Sequence, residues 1–418
     1  MSSARLSLLG FLFVLVSDFT VRLNSYGGEP NGNTVVVGLA NVLGALTFAI
    51  LFRRLATSNF MPNGARNVLL GVLAWGAFSF VFGALSADDY WSWKALLLSH
   101  LFIILIPLAI IVGIHYELFL KVFRFICFVV LPIGFLLIPY SLANDAQLMS
   151  RFVAPVMLLL LFSFYVSMRW RLFFLIVALV SVGIDISYRT NSIRFLASAG
   201  LLGLVAFRVK WPFRIWPLVV GMLFSVPLIL LALGISDEFN FFRDNVFNYE
   251  IESRKDIIVT VVELNQDTRT FLYTEVFNSM LRRDSSFLIG EGGAAGYDTH
   301  WFQDVVFNDQ GRYVSEVGFL NILLHQGAIG VILYAMMLLI SCVTAMRYSN
   351  NDLCKMLGIF LMVRWLLLFV EDIPLFDVNN YINWVVMGLC LSTKFRALTD
   401  EQLKVQFTEA LRNPLGRA

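Results

Sequence analysis

Three arginines, one glutamate and a short run of glycines carry most of the chemistry that this sequence offers. Arg189 and Arg194 stand in Ile186-Ser-Tyr-Arg-Thr-Asn-Ser-Ile-Arg-Phe-Leu, a turn between two apolar runs. Guanidinium is a planar fork that binds phosphate oxygens in pairs and never loses its charge, so two at one short turn can clamp a phosphate. The ordinary reading is a pair of interfacial side chains snorkelling to lipid headgroups. Arg269 stands just before a stretch in which Leu272, Val276 and Met280 recur at helical spacing. After Leu281-Arg-Arg-Asp comes Phe287-Leu-Ile-Gly-Glu-Gly-Gly, where Gly290, Gly292 and Gly293 permit tight turns and close approach of backbone to a ligand. Any loop needs turns, so these glycines gain weight only from the arginine ahead of them. Glu316 opens Ser315-Glu-Val-Gly-Phe-Leu, the return to an apolar run. A carboxylate at the mouth of an apolar helix, partly stripped of water, is suited to work as a general base, whereas its ordinary reading is an acid favoured by the helix dipole. His300 and His325 are rival bases, although a lone histidine in a loop or helix is more often structural.

The elements that must position these residues follow from composition. Of 418 residues 58% are hydrophobic and only 14% charged, too few polar groups to clothe a soluble globule of that size. Apolar runs long enough to span a bilayer recur near 6 to 20, 35 to 52, 67 to 86, 95 to 114, 122 to 140, 152 to 168, 172 to 187, 194 to 208, 215 to 235, 318 to 346, 354 to 370 and 380 to 393. The expected fold is therefore all-α: a polytopic transmembrane helical bundle of about twelve spans. The seventh and eighth are short, and the tenth is long enough to contain a separate helix at its start. Residues 1–235 hold nine spans, 236–313 form one large outer loop, 314–393 hold a re-entry helix and the last three spans, and 394–418 form a cytoplasmic tail. Lys and Arg decide the sidedness. Arg53, Arg54, Arg66, Arg208, Lys210, Arg214, Lys394, Arg396, Lys404, Arg412 and Arg417 fall on the side of the termini, against only Arg22, Lys94, Arg151, Arg189 and Arg194 in the short opposite loops. Both termini are thus expected in the cytoplasm.

Arg189 and Arg194 run against that bias as a pair. The four cysteines all lie in or at the ends of apolar runs, which predicts free thiols. No small-residue cleavage site follows the first apolar run, so it reads as a span and not a removed signal peptide. The tail from Thr399 predicts an amphipathic helix with a Thr399–Gln402 capping box and Leu403, Phe407, Ala410 and Leu411 on one face, resting on the membrane or docked on the bundle. Asp185, Arg364, Glu371 and Asp372 are expected by default to face the bundle interior or a wet cavity, with Asp185 able to pair with Arg364, while the alternative for Glu371 and Asp372, at an outer helix end, is simple solvation. No paired, broken spans occupy matching places in two halves, which lowers a secondary-transporter reading.

Taken in order, these segments resemble the O-antigen polymerase and ligase superfamily of bacterial surface-polysaccharide assembly. Arg189 or Arg194 matches that family's arginine at a short outer turn. Arg269 with Gly290 and Gly292 matches its loop arginine ahead of a helix and glycine turn, and Glu316 to Leu320 with Gly327 and Gly330 matches its final motif. Glu316 stands where the ligases look to have a histidine, which favours a polymerase over transfer to lipid A core. The resemblance implies a metal-independent glycosyltransferase with no cofactor in the bacterial inner membrane, acting on oligosaccharide linked to undecaprenyl diphosphate. Glu316, Arg269 and Arg189 would be catalytic, with Arg194, Gly290, Gly292, Gly293 and His300 binding diphosphate or glycan. A chain-length regulator and a flippase are the implied protein partners, with no nucleic acid. The alternatives are a ligase, a flippase that binds the same diphosphate without chemistry, and a noncatalytic scaffold.

Overall fold

Inside lipid a backbone must satisfy its own hydrogen bonds, so apolar runs of this length become helices. The computed structural model describes residues 2–24, 34–56, 61–139, 157–184, 189–206, 216–235, 250–255, 258–263, 270–283, 286–299, 312–371 and 375–412. Six helices are long and apolar enough to cross a membrane. They are α1 (Ser3–Asn24), α2 (Thr34–Leu55), α3 (Asn63–Ser86), α4 (Tyr90–Ile114), α5 (Tyr116–Leu136) and, later in the chain, α10 (Gly318–Tyr348). Between them lie α6 (Met168–Ile184), α7 (Arg189–Ala206), α8 (Trp216–Ile235) and α9 (Thr270–Arg282). The chain closes with α11 (Asp352–Leu368), α12 (Val378–Leu391), α13 (Thr393–Ala397) and α14 (Asp400–Arg412). The other expected spans are shorter as helices: α7 and α8 contain apolar stretches at Ser192–Gly203 and Pro217–Ala232, and α11 and α12 have 17 and 14 residues. The stretch expected to span from 152 to 168 is described from 157 onward and ends in a 3-10 turn at Ser163–Tyr165.

The expectation of an all-helical chain needs one amendment. Strands β1 (Glu250–Lys255) and β2 (Ile258–Glu263) form an antiparallel hairpin with Glu250 opposite Glu263 and Lys255 opposite Ile258. The run Ile258-Val-Thr-Val-Val is β-branched throughout, a composition that suits strands and disfavours helix.

The core lies around α12, which is buried along most of its length. Its tightest crossing is with α4 at Gly113 and Gly388, where a side chain at Gly388 would run into the Ile110 carbonyl and come within 2.9 Å of the Ile114 nitrogen. Small residues let spans approach backbone to backbone in this way. Gly388→Val should therefore destabilise the bundle by about 1–3 kcal/mol through overpacking, read as a lowered unfolding temperature in detergent. At the other end of α12, Asp377 caps its own helix by accepting from the Asn380 amide at 2.8 Å. Asp18 of α1 accepts from the Val378 amide at 3.2 Å, which gives that buried carboxylate a place at a helix N-terminus.

The tail helix α14 docks on the bundle. Thr399 and Gln402 form the reciprocal capping box, at 2.9 and 3.3 Å. Leu403, Phe407 and Leu411 are buried, with the Phe407 ring 4.9 Å from Phe162 and 5.0 Å from Phe123. All four cysteines are buried free thiols.

Candidate functional site

Helix α10 is two helices. At Gly327 the backbone takes φ 64° and ψ −170°, a conformation open essentially to glycine alone, and the helical path breaks there. Residues 328–348 are long enough to cross a bilayer by themselves, about 31 Å. Residues 318–326 are a separate helix ahead of it, the extra element that the length of the tenth apolar run predicts. All of its residues from Gly318 to His325 are buried, so it enters the protein instead of lying on its surface.

One face of α3 holds this arrangement. Gly71, Trp75, Ser79 and Gly83 stand four residues apart and so share a face. Gly71 lies against Leu333, Trp75 donates to the Gln326 carbonyl at 2.8 Å, and Ser79 donates to the His325 carbonyl at 2.6 Å. Gly83 lies against the Gly293 amide. Trp75 is eleven residues short of the end of α3, so the break sits about 16 Å below that end. Residues 286–293 descend to the same depth in irregular conformation. Non-helical backbone so deep is tolerated only when other parts of the protein satisfy it, and here they do. Ala328 and Ile329 donate to the carbonyls of Phe287 and Leu288 at 2.8 and 3.2 Å, and the Glu291 amide donates to the Leu324 carbonyl at 2.7 Å. The ends of the two half-helices are thereby closed by the protein itself, so they offer no open cradle for an ion or anion of the kind broken helices make in transporters.

The glycines of the loop make these contacts possible. Gly290, at φ 75°, packs backbone to backbone on Gly327, and Gly292 and Gly293 pack on Gly83. The close approach that the sequence predicted toward a ligand is made toward the protein's own backbone. His325 straps the same loop, with Nδ1 3.1 Å from the Gly292 carbonyl and Nε2 3.2 Å from the Tyr313 carbonyl. Its ring meets that of His100 edge to face at 5.1 Å. His100 sits in a π-turn of α4, and its Nε2 is 3.3 Å from the Ser79 hydroxyl. That hydroxyl spends its hydrogen on the His325 carbonyl, so His100 is the donor between them. The neutral His325 ring carries one N–H, so it donates to one of these two carbonyls and lies against the other.

No protein-family model, curated protein or solved structure matches the chain.

Glu316 lies at the rim of this assembly, two residues before the buried helix, whose first amide, that of Gly318, donates to the Glu371 carbonyl at 2.8 Å. Its carboxylate meets Arg312 at 3.3 Å. Arg312 pairs with Tyr297 through both backbone hydrogen bonds, at 2.8 and 2.9 Å. Burial pushes the Tyr297 phenol up, with the adjacent Arg312 guanidinium pulling the other way. Two residues on, Thr299 donates to the buried Glu275 of α9 at 2.9 Å. Helix α9 appears where the spacing predicts it, with Leu272, Val276 and Met280 fully buried. Arg283, at its end, reaches Glu291 at 3.0 Å, Asp298 at 2.6 Å and the Gly296 carbonyl at 2.5 Å. Burial works against the Arg283 charge, but the Asp298 and Glu291 carboxylates outweigh it and leave its pKa raised.

Arg189 is the first residue of α7, and Arg194, about 7 Å further along the helix, is buried. Helix α7 packs on α11, whose Arg364 is also buried. Arg269, His300 and Asp185 lie outside the described residues. Sequence reasoning passed over Trp75, Ser79, Glu275, Arg283 and Arg312. The four-residue recurrence of Gly71, Trp75, Ser79 and Gly83 was a signal for the first two; the others depend on contacts across the loop that spacing does not encode.

Proposed function

We propose that the chain is a membrane glycosyltransferase that polymerises lipid-linked oligosaccharide repeat units in O-antigen, capsule or exopolysaccharide synthesis. The acceptor hydroxyl oxygen bonds to the anomeric carbon of the growing glycan, the bond from that carbon to the diphosphate breaks, and undecaprenyl diphosphate leaves with the electron pair. Glu316 takes the proton of the hydroxyl. Arg269 and Arg189, with Arg194 in support, hold the diphosphate and stabilise the charge that develops on it. The observation that carries this reading is the fold of the last motif as one unit. Glu316 stands at the mouth of a buried helix, Gly327 forms the break at its other end, and Gly330 lies beneath Gln326, where a side chain would collide with it. That unit leaves a carboxylate 42% exposed at the rim. The reading places the protein in the bacterial inner membrane with cytoplasmic termini, beside a flippase and a chain-length regulator.

Polymer length in membranes of cells lacking the chain, complemented by wild type or Arg269→Ala, tests it. Wild type should restore long polymer, and Arg269→Ala should leave single lipid-linked units on the outer face. Single units on the cytoplasmic face would mean a flippase. Full-length polymer missing only its transfer to a new acceptor would mean a ligase.

A further inference from the structure

We propose that Arg312 is a positioning residue for Glu316, fixing where the carboxylate meets the acceptor hydroxyl. This rests on the reading of Glu316 as the general base. Residues 312–316 are not helical, so the approach of Arg312 to Glu316 is no by-product of helical spacing. The chain has to be turned for it, and the turn is built from both sides. On one side the Arg312 backbone is paired with Tyr297, a fully buried residue two positions before Thr299, which is tied to Glu275 of α9. On the other, the Ser315 amide donates to the Asn321 side chain at 2.7 Å, and Asn321 returns a bond to the Ser315 carbonyl at 2.8 Å. The Ser315 hydroxyl accepts from the Val317 amide at 3.2 Å. Both flanks of Glu316 are thus locked to the buried helix while its own side chain reaches outward.

The exposures assign the roles. The Arg312 side chain is 24% exposed and that of Glu316 42%, so the arginine supports from beneath and the carboxylate is the group presented. An ion pair this open contributes little to stability, about 0–1 kcal/mol. Rate responds far more steeply to placement: a shift of about 1 Å in a reacting group can cost about 10²-fold. A pair that is weak as a staple but rigidly mounted is better explained by orientation than by folding.

The test is steady-state kinetics of the full-length protein in lipid nanodiscs, with lipid-linked repeat units as substrate. Wild type is compared with Arg312→Gln, Arg312→Lys, Glu316→Gln and the double variant Arg312→Gln/Glu316→Gln. Arg312→Gln should lower kcat by about tenfold to hundredfold with KM within about twofold, and Arg312→Lys should recover part of the loss. Adding Arg312→Gln to Glu316→Gln should cost nothing further, because residues that act through one group are not additive. If Arg312→Gln fails to fold, Arg312→Lys, which keeps the charge but not the fork, should still lower kcat at unchanged KM. A wild-type rate for both Arg312 variants would overturn the inference. So would a rise in KM alone, which would make Arg312 a substrate contact, or losses that multiply in the double variant. A wild-type rate for Glu316→Gln is a separate result and would overturn the reading of Glu316 itself.

Discussion

Replacing Gly327 by alanine is expected to undock the loop and to destabilise the protein by more than about 3 kcal/mol. Its backbone angles lie in a region that costs a residue with a Cβ about 1–3 kcal/mol. The added carbon would also sit 2.5 Å from the Gly290 nitrogen. That neighbour is backbone, so it cannot swing aside. Alanine further favours an unbroken helix, and a straightened α10 would pull residues 318–326 out of their pocket. The five hydrogen bonds that close the break, from Trp75, Ser79, Glu291, Ala328 and Ile329, would go with it, each carrying about 1 kcal/mol net and more where a buried partner is stranded. Limited proteolysis should then cut within residues 286–299 at protease levels that leave wild type intact. Gly64→Ala is the control, because an added carbon there meets nothing within 4 Å on ordinary helical backbone of α3; it should be clearly milder. Equal resistance of Gly327→Ala and wild type would show that the break is not what holds the loop.

The parts of this fold that were legible in the sequence are those whose signal is local. The capping box at Thr399 and Gln402, the buried stripe of Leu272, Val276 and Met280, and the surplus length of the tenth apolar run each declare an element within one or two helical turns. The glycines of the loop announced a close approach but not its partner. Gly290 needs Gly327, 37 residues on, and Gly292 needs Gly83, more than two hundred residues back, and neither pairing leaves a periodic trace. The role of Arg312 was hidden for the same reason, since Tyr297 and Glu316 reach it across a turn with no regular spacing. Among the arginines, burial separates what type and position could not: Arg194 lies inside α7, where a headgroup-seeking side chain would not be. The hairpin β1–β2 escaped notice because its β-branched run sits in a stretch whose aromatic and charged residues drew attention first.

The second large effect concerns the chemistry at the rim. Glu316→Gln preserves the shape of the side chain and its capacity to accept one hydrogen bond from Arg312, but it cannot take a proton. Loss of a general base costs about 10²–10⁴-fold in rate, so kcat should fall by that amount with the loop still docked and protease-resistant. That combination separates Glu316→Gln from Gly327→Ala, in which structure and rate fail together. Glu316→His replaces the carboxylate with a base of a different pKa. Imidazole is a competent base when neutral, and its ordinary pKa of about 6.5 puts its charge change within the range that an assay can scan. The histidine variant should therefore recover part of the lost rate at pH 8 and lose it as the pH falls through about 6.5. The cation formed there would also face Arg312, an unfavourable like-charge contact that moves the fall toward lower pH. A histidine variant inactive at every pH, yet docked and resistant, would mean that position 316 needs a carboxylate for more than its proton. Rates of wild type, glutamine and histidine variants that coincide at all pH values would remove Glu316 from the reaction and return it to the role of a solvated acid at the start of a buried helix.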